Sequence, residues 1–185
     1  MGRDLLSTCP LFKSLLELGS ELTHEDLERL CSRGPERKLR RSFFLQPFMV
    51  SVSLGYASLL RDEGIESDVV LGHSLGEITA LATSGVVFDE MAVMIAAKRG
   101  ELMDHAASIE KGGMAAVLSV PMETLQEVLA AVDDPSGVVI ANDNAPGQIV
   151  ISGREQQLKQ ISEQIRERHL GRCRSLSVSG PWHGP

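Results

Sequence analysis

The sequence predicts an α/β chain. A ferredoxin-like unit spans residues 113–178, and a mostly helical stretch spans 1–112. Two patterns carry this. From Met114 the apolar spacing alternates in the order β-α-β-β-α-β, the ferredoxin-like arrangement. Around residue 70 a short apolar run feeds a helix through a Gly-x-Ser-x-Gly turn. Composition agrees: 185 residues with 43% hydrophobic and 23% charged are ordinary for a soluble protein of one domain or two small ones.

The elements follow in chain order. Thr23 with Glu25 and Asp26 predicts a helix start, Thr23 serving as N-cap, and a helix to about Cys31 before Gly34-Pro35. Residues 44–63 read as a second helix. Val69-Val70-Leu71 reads as a buried strand ending at Gly72, followed by helices over 75–84 and 89–106. Ala115 to Val120 reads as a strand, and Pro121 opens a helix whose Leu125, Val128, Leu129 and Val132 keep one buried face. The turn cluster 133–137 precedes Val138-Val139-Ile140. That strand and Gln148-Ile149-Val150-Ile151 flank a loop over 142–147. A helix over 154–169, with Leu158, Ile161 and Ile165 inward, leads to a last strand over 174–178.

Residues 1–112 offer several helices but one strand. A parallel sheet of one strand leaves its edges and the helices' apolar faces uncovered. The expectation is that strands are missing from both ends, or that another chain supplies the surface. No apolar run reaches the roughly 18 residues of a membrane span, and the N-terminus lacks a signal-peptide layout. Three scattered cysteines, Cys9, Cys31 and Cys173, argue against a disulfide framework or zinc site and for a reducing, cytoplasmic setting. The net charge of −7 argues against nucleic acid as a partner. The cations are clustered, however. Arg33, Arg37, Lys38, Arg40 and Arg41 form one group, and Arg166, Arg168, Arg172 and Arg174 another. Such groups are solvated surface, or landing sites for an acidic partner or a phosphate.

Gly72-His73-Ser74-Leu75-Gly76 stands where a nucleophile elbow needs it, after a strand and at a helix start. Glycines at 72 and 76 permit a tight turn and close helix–strand approach, lifting the Ser74 hydroxyl out. The N–H of Leu75 can face the oxyanion of a tetrahedral intermediate. The bland alternative is a glycine-rich turn with Ser74 as a capping residue, and His73 as a packed histidine beside it.

At 100° per residue, Phe88, Met91, Ala92, Ile95, Leu102 and Met103 share one face of the 89–106 helix, with Arg99 at its centre. An arginine there needs an anion. The candidates are an internal carboxylate or the carboxylate of a substrate, which a guanidinium grips in a fork. A serine nucleophile also needs a base. Among the histidines, His183 lies in a Gly/Pro-bounded loop after the last strand. His24, His105 and His169 belong to helices.

Taken together, these residues resemble the malonyl-CoA:acyl carrier protein transacylases, including the acyltransferase domains of polyketide synthases. The matching pieces are Gln46-Pro47, Gly72 to Glu77, Arg99-Gly100, Gly113 to Ala116, Asn142 to Gln148, Ile151-Ser152-Gly153 and Ser179 to His183, in the family's order. The resemblance implies an α/β-hydrolase-like larger subdomain over 1–112 and 179–185 with the ferredoxin-like unit inserted. It implies that Ser74, with His183 as base, takes a malonyl group from malonyl-CoA. The thiol of an acyl carrier protein then accepts that group, in fatty acid or polyketide synthesis. Arg99 would hold the malonyl carboxylate, and Gln46, His73, Asn144 and Trp182 would line the substrate. Malonyl-CoA would be a substrate, with no bound cofactor, metal, membrane or nucleic acid involved. Other synthase domains are implied partners. The family's opening strand and its oxyanion loop precede the first residue here, and further elements follow the histidine. The expectation is therefore weak activity or none from this polypeptide alone. Acyl-thioester hydrolysis, or carrier-protein docking without catalysis, are the alternatives.

Overall fold

Pro10 has no N–H to lose and its φ is preset for a helix, so a helix starts there. Cys9 caps it, its sulfur accepting from the Phe12 N–H at 3.4 Å. This second helix, α2 (Pro10–Thr23), follows a single turn, α1 (Leu5–Thr8), and both precede the part of the chain that sequence periodicity resolved. The computed structural model describes residues 2–109 and 111–184, which divide into two units, Met1–Asp104 and His105–Pro185.

In the first unit the chain continues through α3 (Leu27–Arg33), α4 (Glu36–Leu39), α5 (Ser42–Asp62), α6 (Leu75–Thr83) and α7 (Asp89–Ile109), the unit boundary falling inside α7. One core gathers Leu5, Phe12, Leu16, Leu27, Phe44, Phe48 and Val52. A second gathers Leu15, Val50, Leu54, Ile78, Ala92, Val93 and Ala96. Full burial of a side chain such as Phe48 or Leu54 stabilises the fold by about 1.5–3 kcal/mol.

Four expectations change here. Thr23 ends α2 rather than capping the next helix, and its hydroxyl donates to the Gly19 carbonyl at 2.8 Å. Asp26 caps α3, accepting from the Arg29 N–H at 2.8 Å. The cap moves because His24 takes the left-handed conformation, φ 52°, which stops α2 one residue later than a cap at Thr23 allows. Residues 67–71 form no strand, and Val69 and Leu71 are 74% and 91% exposed. A strand exists only with a ladder partner, and none pairs with this run among the described residues. Helix α5 is long and apolar enough to cross a membrane by length and composition, although scattered polar residues break every apolar run. Half of that stretch is buried within the fold, as a core helix would be.

The fourth change concerns α7. Its buried face is Ala92, Val93, Ala96, Ala97 and Gly100, whereas Phe88 is 82% exposed and Met91, Ile95 and Leu102 are also exposed. Small residues win because they let backbones meet. A Cβ on Gly100 would stand 2.4 Å from the Ser42 carbonyl oxygen at the start of α5. Gly100→Ala is therefore expected to lower the urea midpoint. Overpacking against an immobile carbonyl costs about 1–3 kcal/mol and outweighs the roughly 1 kcal/mol of gained helix propensity. A raised midpoint would show that α5 and α7 have room to part.

In the second unit, β1 (Gly113–Leu118), α8 (Met122–Ala130), a 3₁₀ turn (Pro135–Gly137), β2 (Val138–Ala145), β3 (Gln148–Gly153), α9 (Glu155–Glu167) and β4 (Arg172–Ser175) follow in order. The antiparallel sheet has the order β2-β3-β1-β4. Ala115, Val117, Ile149 and Ile151 face Leu125, Val128, Ile161 and Ile165 of the helices in one core. Two boundaries differ from expectation. Asn142 to Ala145 join β2 rather than a loop, because Asn142, Asp143 and Ala145 pair with β3, with register irregularities at Ile140/Asn142 and Asp143/Ala145. The turn shrinks to Pro146-Gly147, where Gly147 takes φ +74°. The last strand ends at Ser175, before Leu176 to Val178.

Candidate active site

Two neighbours shape the turn before α6. Gly72 lies against the start of that helix, and a Cβ on it would fall 2.0 Å from the Gly76 carbonyl carbon and 2.2 Å from the Glu77 nitrogen. The Gly76 N–H donates to the His73 carbonyl at 2.9 Å and the Glu77 N–H to the Ser74 carbonyl at 3.2 Å, which closes the bend. Ser74, at its apex, holds φ 53° and ψ −104°, a conformation that costs a non-glycine residue on the order of 1–3 kcal/mol. Of the two glycines, only Gly72 is sterically required here, since a Cβ on Gly76 meets nothing within 4 Å among the described residues. We expect Gly72→Ala to destabilise the first unit by about 3 kcal/mol, read by chemical denaturation, because three backbone atoms obstruct the added methyl. Unchanged stability would mean that the bend relaxes freely.

Ser74 occupies the N-cap position of α6, yet its side chain makes no capping hydrogen bond, so the capping-serine alternative fails. Its Oγ instead accepts from Arg99 Nη2 at 3.0 Å. The other arm of that guanidinium, Nη1, donates to Gln46 Oε1 at 2.8 Å, and Gln46 Nε2 reaches Met103 Sδ at 2.7 Å. Gln46 is 4% exposed, so both of its polar ends are used where water does not reach. Arg99 is half-buried and pairs with no carboxylate among the described residues. A cation donating to Oγ favours negative charge there. The Leu75 N–H stands at the first position of α6, among the groups that a helix leaves without an intrahelical partner.

The structure thus unites Gln46, Ser74, Leu75 and Arg99, contributed by α5, the elbow, α6 and α7. It adds Met103, which sequence reasoning placed on the Arg99 face without a role; its position one turn after Arg99 was the available signal. His73 is exposed beside the turn. The other three residues belong to the second unit. Asn144 is exposed on β2, and His183 is exposed at φ 55°. Trp182 is half-buried, its N–H donating to the Gly180 carbonyl at 3.1 Å and its ring covering Gly180, where a Cβ would meet it at 2.8 Å. Among the described residues no group of three His, Cys, Asp or Glu side chains could hold a metal ion.

Comparison with known proteins gives a consistent result. The sequence pattern of the acyl transferase domain matches residues 1–182. The malonyl CoA-acyl carrier protein transacylase of Bacillus subtilis is 35% identical over 184 residues, which are 99% of this chain and 58% of that protein. The crystal structure of the corresponding transacylase from Clostridium perfringens superposes with a TM-score of 0.84 at 37% identity, covering 98% of this chain and 57% of that one. A malonyl-transacylase solved in complex with its type II polyketide synthase acyl-carrier protein superposes with a TM-score of 0.87 at 28% identity, covering 98% and 59%. The chain therefore spans a little under three-fifths of the length of these relatives.

Proposed function

The chain belongs to the acyl transferase domain family, and from that membership we propose that it moves a malonyl group from coenzyme A to the phosphopantetheine thiol of an acyl carrier protein. The observation that carries the reading is the Arg99–Ser74 contact: a guanidinium with no carboxylate partner among the described residues lies 3.0 Å from a serine Oγ held at a strained helix start. A malonyl group brings what this arrangement lacks, a carboxylate for Arg99 and a thioester carbonyl for Ser74.

The steps balance as follows. Ser74 Oγ bonds to the thioester carbon as its proton passes to His183, and the Leu75 N–H donates to the resulting oxyanion. The carbon–sulfur bond then breaks and coenzyme A leaves as the thiol, taking the proton from the imidazole. The carrier protein's thiol next gives its proton to His183 and attacks the acyl ester. The carbon–oxygen bond breaks, and the proton returns to Ser74. Throughout, Arg99 holds the carboxylate with Gln46 bracing its other arm, and His73, Asn144 and Trp182 line the substrate. We read 1–112 with 179–185 as the α/β-hydrolase-like part and 113–178 as the ferredoxin-like part. The sheet order β2-β3-β1-β4 supports the latter. The pathway is fatty acid or polyketide synthesis in the cytoplasm, with other synthase domains as neighbours.

The test is to incubate the full chain with malonyl-CoA and, separately, acetyl-CoA, then follow the protein's intact mass. A malonyl adduct that maps to Ser74 and moves to an added holo-carrier protein is the expected result. A preference for acetyl would sink the reading, and no adduct from either thioester would leave carrier-protein docking without catalysis as the function. Steady release of coenzyme A without any carrier protein would make hydrolysis the activity instead.

A further inference from the structure

The first unit leaves a large apolar surface bare. Val69 and Leu71 are exposed, and Val70 between them is half-buried. A strand with one covered face shows that alternation. The backbone of residues 67–71 nevertheless forms no hydrogen bond with other backbone among the described residues. Phe88, Met91, Ile95 and Leu102 are exposed as well, and their spacing sets them in one stripe along α7. Helix α7 thus carries two apolar faces. Small residues fill the buried one, and large residues stand on the bare one. The stripe and the 67–71 run share one surface, because Arg99, next to the stripe, reaches Ser74, three residues after Leu71.

Single apolar side chains on a surface are ordinary, but a contiguous patch marks an interaction site. A run with unpaired N–H and C=O groups is a template for another strand. Charge indicates what kind of strand. Over residues 61–98 seven carboxylates stand against two Lys or Arg, Arg61 and Lys98. Glu63, Glu66 and Asp68 lead into Val69, and Asp89 and Glu90 follow Phe88. None of these five forms an ion pair among the described residues, whereas Lys98 is held by Glu101 at 2.8 Å. A second copy of this chain would bring the same acids to the same rim, and like charges set against each other oppose its docking.

We infer that this face takes an extended apolar segment of a different polypeptide, flanked by Lys or Arg. The segment adds a strand beside residues 67–71, and its backbone groups satisfy theirs. Its apolar side chains meet the α7 stripe, and its cations meet the acidic rim. An apolar centre with a polar rim is the anatomy of a protein interface. The rim charges set register and exclude wrong partners more than they add affinity. The inference does not rest on the acyl-transfer reading, since it holds whether or not Ser74 accepts an acyl group.

The test uses the full chain and two peptides of alternating valine and threonine, one with lysines at both ends and one with glutamates. Amide hydrogen exchange is followed at residues 67–71, and sedimentation reports the oligomeric state. The expected result is slower exchange with the Lys-flanked peptide and about tenfold weaker binding of the Glu-flanked one. A Glu66→Lys/Asp68→Lys double variant should reverse that preference, and Phe88→Lys should weaken the Lys-flanked peptide. All three side chains are exposed, and circular dichroism checks that the fold persists. No slowing with either peptide, or equal slowing with both, overturns the inference. A dimer that slows exchange at 67–71 without peptide gives the face to a second copy. Slowing by a holo-carrier protein alone gives it to the carrier. Either of these results overturns the inference as well.

Discussion

Ser74→Ala is expected to abolish the malonyl adduct and every later step of the proposed transfer, leaving a chain that still binds the thioester. The loss is complete in the mass readout, because no other group is held at that bend to receive the acyl carbon. Stability is expected to move little or to rise. Alanine removes no capping bond, since the Ser74 side chain makes none, and it inherits the same strained φ of 53°. The substitution removes the bond from Arg99 Nη2 at 3.0 Å, whose donor is half-buried and close enough to solvent to recover water. A malonyl adduct persisting on Ser74→Ala protein would show that the acyl group sits elsewhere and would end the nucleophile assignment.

Arg99→Ala carries the second large effect. Two charge-assisted hydrogen bonds to a carboxylate contribute about 1.5–3 kcal/mol each, and partial exposure reduces that. A fall of about 100-fold in malonyl kcat/KM follows, at roughly 1.4 kcal/mol per tenfold. Acetyl loading, which offers no carboxylate, should hold steady, so the ratio between the two thioesters collapses. Arg99→Lys should fall between, since an ammonium supplies the charge without the fork. Both variants also strip Gln46 Oε1 of its donor in a site where Gln46 is 4% exposed, so a stability loss of about 1 kcal/mol should accompany them. The specificity ratio separates the two roles. If malonyl and acetyl loading fall together, Arg99 only braces Gln46 and the elbow, and the carboxylate is bound by something else.

Legibility differed sharply between the two halves of the chain. Helices α8 and α9 bury Leu125, Val128, Ile161 and Ile165 at helical spacing, and β1 and β3 alternate, so periodicity located them. Asn142 and Asp143 misled because their turn preference is local. The ladder with β3 is not local, and it satisfied their backbone as strand. In the first half, Val69-Val70-Leu71 has the composition of a strand, but composition carries no partner, and the described chain pairs nothing with it. The face of α7 misled for a related reason. Large apolar residues mark a buried face only when the neighbouring backbone stays at ordinary distance. Gly100, lying almost against the Ser42 carbonyl, brings α5 too near for them.

By itself the sequence located the tight bend with Ser74 at its apex, since Gly72 to Gly76 is a local turn followed at once by a helix, and geometry confined to five residues can be read from five residues. It also called for an anion at Arg99, on an apolar face of which the structure leaves Phe88, Met91, Ile95 and Leu102 exposed. Only the tertiary structure decided which partner that is. Gln46 lies 53 residues before Arg99 and Ser74 lies 25 before it, and no periodicity relates positions that far apart. The packing of α5 and α7 through small side chains brought the guanidinium and Gln46 within bonding distance, and burial then made each hydrogen bond costly to lose.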